Sequence, residues 1–273
     1  MTDAPKPLTD RTALLRNRAR CVPDAMFLHQ EAIDDVQDRL SMVNRPFTKP
    51  AIVTGHPAIW GAAFLDAQIV SDEDVLELQP DSHDLVIHAM CLHWANDPVG
   101  QIIQCRRALK SDGLFLAIFP GGQSLNELRT SLAEAEARLR GGLSPRVVPM
   151  GDLRDLGALL QRSGLALPVA DTFEIKAEYD DLKGLATDLR GMGEGNALKD
   201  RSRNFAPRTL FTTAEDIYRS NFPGKTKVLR ATYELVALTG WAPHENQPQP
   251  LRPGSAQTRL SDALGTDETS LPD

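Results

Sequence analysis

Ser82 to Gly122 read SHDLVIHAMCLHWANDPVGQIIQCRRALKSDGLFLAIFPGG, and this stretch decides the fold. Residues 85–89 are mainly apolar, as in a strand that is buried on both faces. Asp97 and Pro98 then predict the start of a helix, because Asp is a favoured N-cap and Pro a favoured first helical residue. Leu114–Phe119 is a second apolar run. Two strands joined in this way predict a right-handed parallel βαβ unit.

Polar and aromatic residues follow directly after the first of these strands. The segment Cys91–Asn96 reads CLHWAN. Ligands of parallel sheets bind beyond the carboxyl ends of the strands, so we predict a site at residues 88–96. His93 and Trp94 could flank a substrate there. Alternatively, the two side chains pack under a helix, and the sequence does not decide between these interpretations. Cys91 has no base close to it in sequence, so a thiolate nucleophile is not predicted.

The same region resembles a known family. Residues 84–129, DLVIHAMCLHWANDPVGQIIQCRRALKSDGLFLAIFPGGQSLNELR, resemble strands 4 and 5 of class I methyltransferases that use S-adenosylmethionine (SAM). The closer resemblance is to the methyltransferase-like assembly factors of respiratory complex I, relatives of the biotin-pathway acyl-carrier-protein methyltransferase. Other family-like stretches are residues 136–146, 155–160, 188–196 and 239–244. The resemblance implies an α/β, Rossmann-like class I methyltransferase fold with SAM as cofactor.

The loop that would hold the methionine part of SAM departs from this family. The family-like pattern Asp-Leu-Gly-Gly-His-Thr-Gly falls on residues 52–58, where only Gly55 and His56 match. The acid becomes Ile52, which removes an anchor for the amino group of SAM. The first Gly becomes Thr54, which adds a Cβ where backbone should approach the ligand.

The chain is also shorter than the family after its first strand. A typical member has one more strand and helix between a short helix at 59–67 and the strand that begins at Gln68, so we predict that one β–α unit is missing. Asp72 then lies 17 residues after Gly55, close to the ~20 expected for an acid that binds a ribose. Two alternatives remain open: Asp72 lies near the adenine, or residues 71–74 cap a short helix.

Two sets of candidate residues follow from the resemblance and from the run RGMGEGN at residues 190–196. Glycines in that run indicate unusual dihedrals or a close approach, which suits a loop over the site. The candidate cofactor contacts are Thr54, Gly55, His56, Asp72, Glu73, His88, Ala89 and Met90. The candidate substrate contacts are His93, Trp94, Gly191, Met192, Gly193, Glu194 and Asn196. No catalytic residue and no metal ligand are assigned.

Charged residues on two predicted helices have simpler interpretations. A helix that begins near residue 9 carries Arg11, Arg16, Arg18 and Arg20, either as a solvated face or as contacts to an acidic partner or the site rim. In a later helix, over 125–140, Leu residues lie on one side and Glu136 is predicted to face away from them.

Composition and length indicate one large domain. We expect a flexible N-terminus at 1–10, a methyltransferase-like domain with N-terminal helices at 11–244, and a flexible polar tail at 245–273. The chain has 273 residues and a net charge of -7, which argues against a broad nucleic-acid-binding surface. It has no apolar run near the ~20 residues of a membrane helix and no signal-peptide pattern. Three widely spaced cysteines fit a reducing cytoplasm, with contact to the inner membrane only through partners.

Three functions remain open from the sequence. The first is a SAM-dependent methyltransferase-like protein that acts on a complex I subunit or assists its assembly. The second is a non-catalytic assembly or scaffold protein that keeps a partner surface while its SAM site is degraded. The third is a protein arginine hydroxylase, the activity implied by the mitochondrial assembly factor that the chain resembles.

Overall fold

The computed structural model describes residues 6–224 and 228–248 and shows one six-stranded mixed sheet with helices on both faces. The sheet order is β2-β1-β3-β4-β6-β5. The strands are β1 (Pro50–Thr54), β2 (Gln68–Ser71), β3 (His83–Ala89), β4 (Leu109–Gly121), β5 (Ala166–Tyr179) and β6 (Leu229–Trp241).

Eight α-helices and two 3₁₀ turns connect or flank these strands within the described residues. The helices are α1 (Arg11–Arg18), α2 (Phe27–Met42), α3 (Pro57–Ala63), α4 (Pro98–Ala108), α5 (Asn126–Arg140), α6 (Leu153–Arg162), α7 (Leu182–Gly191) and α8 (Arg208–Asn221). The 3₁₀ turns are Pro23–Ala25 and Leu92–Trp94. The predicted start of α4 is confirmed, since Asp97 accepts a hydrogen bond from the Gly100 N–H at 2.8 Å and Pro98 is the first helical residue.

The first four strands form the parallel half of the sheet. Strand β1 pairs in parallel with β2 on one side and with β3 on the other, and β3 pairs in parallel with β4. All seven residues of β3 are buried, as a strand covered by helices on both faces requires. Antiparallel pairing of β4 with β6 and of β6 with β5 completes the sheet. The predicted α/β fold with these four neighbouring parallel strands is confirmed.

The region between β1 and β2 contains one helix, α3, and no strand among the described residues. Strand β2 therefore pairs directly with β1, with Ile52 opposite Ile69. The loss of one β–α unit between β1 and β2, relative to the family, stays a prediction. The alternative in which residues 71–74 cap a helix is wrong, because no helix follows β2 before β3. Asp72 instead turns inward and is buried.

The core lies in two layers, one on each face of the sheet. Alternation along β1 shows this: Ile52 packs in one cluster, whereas Ala51 and Val53 pack in the other. Helices α2, α5, α7 and α8 cover the first face, and α4 and α6 cover the second. This three-layer arrangement fixes the strand ends, and with them the loops that follow β1 and β3.

The N-terminal segment that begins at Leu8 is hydrogen-bonded to the rest of the domain. The Thr9 N–H donates to Asn96 Oδ1 at 2.9 Å, and the Thr9 hydroxyl donates to the Trp94 carbonyl at 2.7 Å. Asp10 caps α1 by accepting from the Ala13 N–H. Within the predicted flexible N-terminus, 1–10, Thr9 and Asp10 thus make these contacts, and residues 1–5 lie outside the described residues.

The chain divides after Pro243 into one compact unit, Met1–Pro243, and a second unit, His244–Asp273. Most of the predicted flexible tail, 249–273, lies outside the described residues, as do 225–227. In the part of the chain that the structure describes, no helix has the length and apolar character to cross a membrane.

Candidate functional site

The candidate site lies where the strand order reverses. The chain leaves β1 for β2 on one side of the sheet and returns to β3 on the other side of β1. The carboxyl ends of β1 and β3 therefore flank a crevice of the kind in which open α/β sheets bind ligands. Thr54, Gly55 and His56 follow one edge of this crevice, and Met90 and Cys91 follow the other.

A buried ion pair occupies this crevice. Arg18 Nη1 donates to both carboxylate oxygens of Asp72, at 2.8 and 2.9 Å, and the two side chains are only 4% and 3% exposed. Arg11 adds two longer hydrogen bonds of 3.3 Å to the same carboxylate. Asp72 thus pairs with two arginines of α1, and both of its oxygens already have protein partners.

The guanidinium of Arg18 also covers the glycine of the first loop. A Cβ placed on Gly55 would overlap Arg18 Cζ and Nη1. At the position where the family has its loop acid, this chain has Ile52, an apolar side chain with no solvent exposure. A SAM molecule would need an acid near Ile52, an open Gly55 and a free acid at Asp72. The residues present do not fit SAM in the position that the family resemblance implies.

The other candidate cofactor contacts are structural or peripheral in this arrangement. His88 is fully buried, its Nε2 lies 2.7 Å from Gln101 Oε1, and its Nδ1 lies 3.4 Å from Cys91 Sγ. Burial lowers the pKa of His88 to about 4 and raises the pKa of Cys91 well above its ordinary value. Ala89 and Met90 are buried as well, and Glu73 is exposed beside Arg11. Thr54 accepts a hydrogen bond from the His56 N–H at 3.1 Å.

Two histidines pack behind the Gly55 loop. The rings of His29 and His56 lie 4.5 Å apart, and the Trp60 indole N–H donates to His29 Nδ1 at 3.1 Å. Burial is the main cause that lowers the pKa of both histidines, for His29 to about 3. The nitrogen atoms His56 Nε2, His93 Nδ1, Arg18 Nε and Arg18 Nη2 are buried without a protein partner among the described residues.

Three of the candidate substrate residues form one cluster. Glu194 Oε2 accepts a hydrogen bond from Trp94 Nε1 at 2.7 Å and lies 3.1 Å from His93 Nε2. Burial alone would raise the pKa of Glu194, but His93, Arg18 and the Trp94 N–H together more than offset burial and lower that pKa to about 2. Glu194 is therefore a largely buried carboxylate, 16% exposed, that stays ionised at neutral pH.

The three residues of this cluster line a mainly apolar cavity of about 200 Å³, together with Arg146 and Arg190. The cavity lies between α5, α7 and the loop that follows α7. Its apolar lining includes Leu125, Leu128, Leu132, Leu182, Leu189 and Tyr233. Asn196 also lines it and donates from Nδ2 to the Pro145 carbonyl at 2.8 Å. The structure thus brings His93, Trp94, Glu194 and Asn196 to one cavity.

The remaining substrate candidates, Gly191, Met192 and Gly193, do not line this cavity. Gly191 ends α7, and its carbonyl accepts from the Val22 N–H at 2.8 Å. Met192 is buried in the core. Gly193 has a φ of +82°, which explains the glycine at that position by backbone conformation.

Sequence reasoning left the role of Arg18 open between a solvated face, an acidic partner and the site rim, and it misplaced Glu136. Arg18 lies four residues after the buried Leu14, so it lies on the apolar side of α1, and that spacing was the available signal. The prediction that Glu136 faces outward is wrong, since it is 1% exposed and accepts from the Ser144 N–H at 2.7 Å. Glu136 also binds Arg146 Nη2 at 2.6 Å and so positions an arginine in the cavity wall.

The comparisons with known proteins agree with this fold. A family model described as a methyltransferase domain matches residues 57–117. A crystal structure of a candidate methyltransferase from Bacillus halodurans superposes with a TM-score of 0.50 at 13% identity, over 78% of this chain and 99% of that one. The chain therefore shares the fold of this methyltransferase structure, as the resemblance implied.

The curated proteins that the chain is similar to include a group of mitochondrial proteins. The arginine-hydroxylase NDUFAF5 of Dictyostelium discoideum is 39% identical over 71% of this chain and 45% of that relative. The malonyl-acyl-carrier-protein O-methyltransferase of Laribacter hongkongensis is 32% identical over 65% of this chain and 57% of that enzyme. The chain spans about half the length of the curated relatives it matches.

Proposed function

We propose that this chain is a methyltransferase-fold protein that binds an arginine side chain of a protein partner, and that the partner is a subunit of respiratory complex I during assembly. The observation that carries the proposal is the ionised Glu194 in the wall of a mainly apolar cavity, which Arg146 and Arg190 also line. An arginine side chain has a matching shape and chemistry, with an aliphatic stem and a cationic tip. The relatives named as arginine hydroxylases support the same residue type.

The cavity walls suit the stem of such a side chain as well as its tip. Leu125, Leu128 and Leu189 supply apolar contacts along the cavity, and Trp94 offers an aromatic surface next to Glu194. A guanidinium next to Glu194 would replace water as the partner of this carboxylate, and such charge-assisted hydrogen bonds are among the stronger ones. The proposal therefore depends on charge at Glu194 and on apolar volume beyond it.

A pair of small ligands tests the proposal on the intact protein. Nα-acetyl-arginine amide is expected to bind in a calorimetric titration, and Nα-acetyl-citrulline amide, its neutral isostere, is expected to bind at least about tenfold more weakly. The substitution Glu194→Gln should weaken arginine-amide binding by at least about tenfold, because it removes the charge and keeps the shape.

The matched control is Glu31→Gln, since Glu31 is exposed on α2 and should not affect binding. Equal affinity for the arginine and citrulline compounds, or equal affinity in the native protein and Glu194→Gln, would contradict the proposal.

A second candidate function is SAM-dependent methyl transfer, which the methyltransferase domain match at residues 57–117 favours. The position of Arg18 over Gly55 argues against it. A calorimetric titration of the purified protein with SAM distinguishes the two: binding at micromolar SAM supports a methyltransferase, and the absence of heat supports the partner-binding role.

A further inference from the structure

Two of the three glycines that were candidates for ligand contacts, Gly55 and Gly193, lie against one arginine, Arg18. A Cβ on Gly55 would overlap the guanidinium of Arg18. A Cβ on Gly193 would lie 3.0 Å from Arg18 Cα and 3.3 Å from His56 Cε1. The missing side chains at Gly55 and Gly193 thus make room for the backbone and the guanidinium of Arg18.

We infer that Arg18 is a built-in occupant of the cofactor crevice, so that a cation of the chain itself lies where a cationic SAM would approach the first loop. The ion pair between Arg18 and Asp72 also belongs to this inference, because it engages the carboxylate that would otherwise bind the ribose of a nucleoside. The inference goes beyond the proposed function and does not depend on an arginine ligand in the cavity.

The helix that carries Arg18 is held near both of its ends by the end of α7 and the segment that follows it. Asn17 Nδ2 donates to the Gly195 carbonyl at 2.8 Å, and the Val22 N–H donates to the Gly191 carbonyl at the same distance. At the other end of α1, Asp10 accepts hydrogen bonds from its own helix and pairs with Arg201 at 3.0 Å. Arg18 is therefore held over Gly55 by its backbone as well as by its charge.

Charge also opposes the entry of SAM. To admit SAM, Arg18 would have to leave Asp72, and each of the two buried charges would lose its partner. Displacement of a long, flexible side chain is easy only where it is exposed, and Arg18 is not.

A double-mutant cycle tests the contact between Arg18 and Gly55. Gly55→Ala should lower the melting temperature of the native protein by roughly 5 °C or more, since the new methyl group displaces the Arg18 guanidinium from Asp72. In an Arg18→Ala background the same substitution should lower it by less than half as much. Arg18→Lys gives a second background that keeps a positive charge for Asp72 without the planar guanidinium.

Arg16→Ala is the matched control, because Arg16 lies on the same helix and is exposed. In that background Gly55→Ala should have its full effect. Equal shifts for Gly55→Ala in all four backgrounds would overturn the inference.

A ligand titration completes the test. The native protein should give no heat with SAM or with S-adenosylhomocysteine at micromolar concentrations. Micromolar binding of either compound by the native protein would also overturn the inference, whatever the result with arginine and citrulline amides.

Discussion

Asp72→Ala is expected to destabilise the protein by about 3–5 kcal/mol, the usual cost of removing one partner of a buried ion pair. The substitution leaves the guanidinium of Arg18 buried at 4% exposure without its counter-charge, and Arg11 loses the same carboxylate. Urea unfolding followed by circular dichroism measures the loss. Asp74→Ala is the matched control, because Asp74 is exposed in the same segment and should cost little.

This expectation differs from the one that follows from sequence alone. A ribose-binding Asp72 would be free in the absence of cofactor, and its replacement would reduce SAM affinity by roughly ten- to a hundred-fold without changing the melting temperature. A melting temperature that stays unchanged in Asp72→Ala would therefore favour the cofactor role and contradict the buried pair. Similar losses for Asp72→Ala and Asp74→Ala would contradict both.

The parallel half of the sheet could be predicted because each of its strands is a short, continuous apolar run. Strands β3 and β4 are examples, with turn and cap residues between them. The antiparallel half was harder to delimit. Strand β5 extends to Tyr179, whereas its apolar signal ends near Ile175, because β5 is an edge strand whose length is set by pairing with β6 and not by its own composition.

The site was predictable in position and not in its contacts. The position follows from strand order, which local patterns define. The contacts join residues far apart in the chain: Arg18 and Asp72 are 54 residues apart, and Trp94 and Glu194 are 100 residues apart. No local pattern shows which acid an arginine will contact. The sequence therefore could not indicate that Gly55 and Asp72 both contact Arg18.

Acid is expected to destabilise this protein well above the pH at which carboxylates titrate. Burial lowers the pKa of His29 to about 3 and that of His88 to about 4, whereas an unfolded histidine has a pKa near 6.5. Both side chains are neutral in the folded state at pH 5, and both take up a proton on unfolding. The stabilisation is complete above pH ~6.5 and is lost as the pH falls towards the folded pKa values.

The expected loss is about 2 kcal/mol between pH 6 and pH 5, since each histidine contributes a slope that approaches 1.36 kcal/mol per pH unit. Below pH ~4.5 Glu194 adds to this loss of stability. Its pKa in the folded protein is about 2, so the folded state favours the ionised carboxylate and acid removes that advantage. Urea unfolding at half-unit steps from pH 7 to pH 4.5 measures the slope. His88→Gln should reduce this slope by about one proton even if it lowers stability at every pH. A free energy of unfolding that is flat from pH 7 to pH 5 would mean that the two histidines are not held neutral in the folded protein.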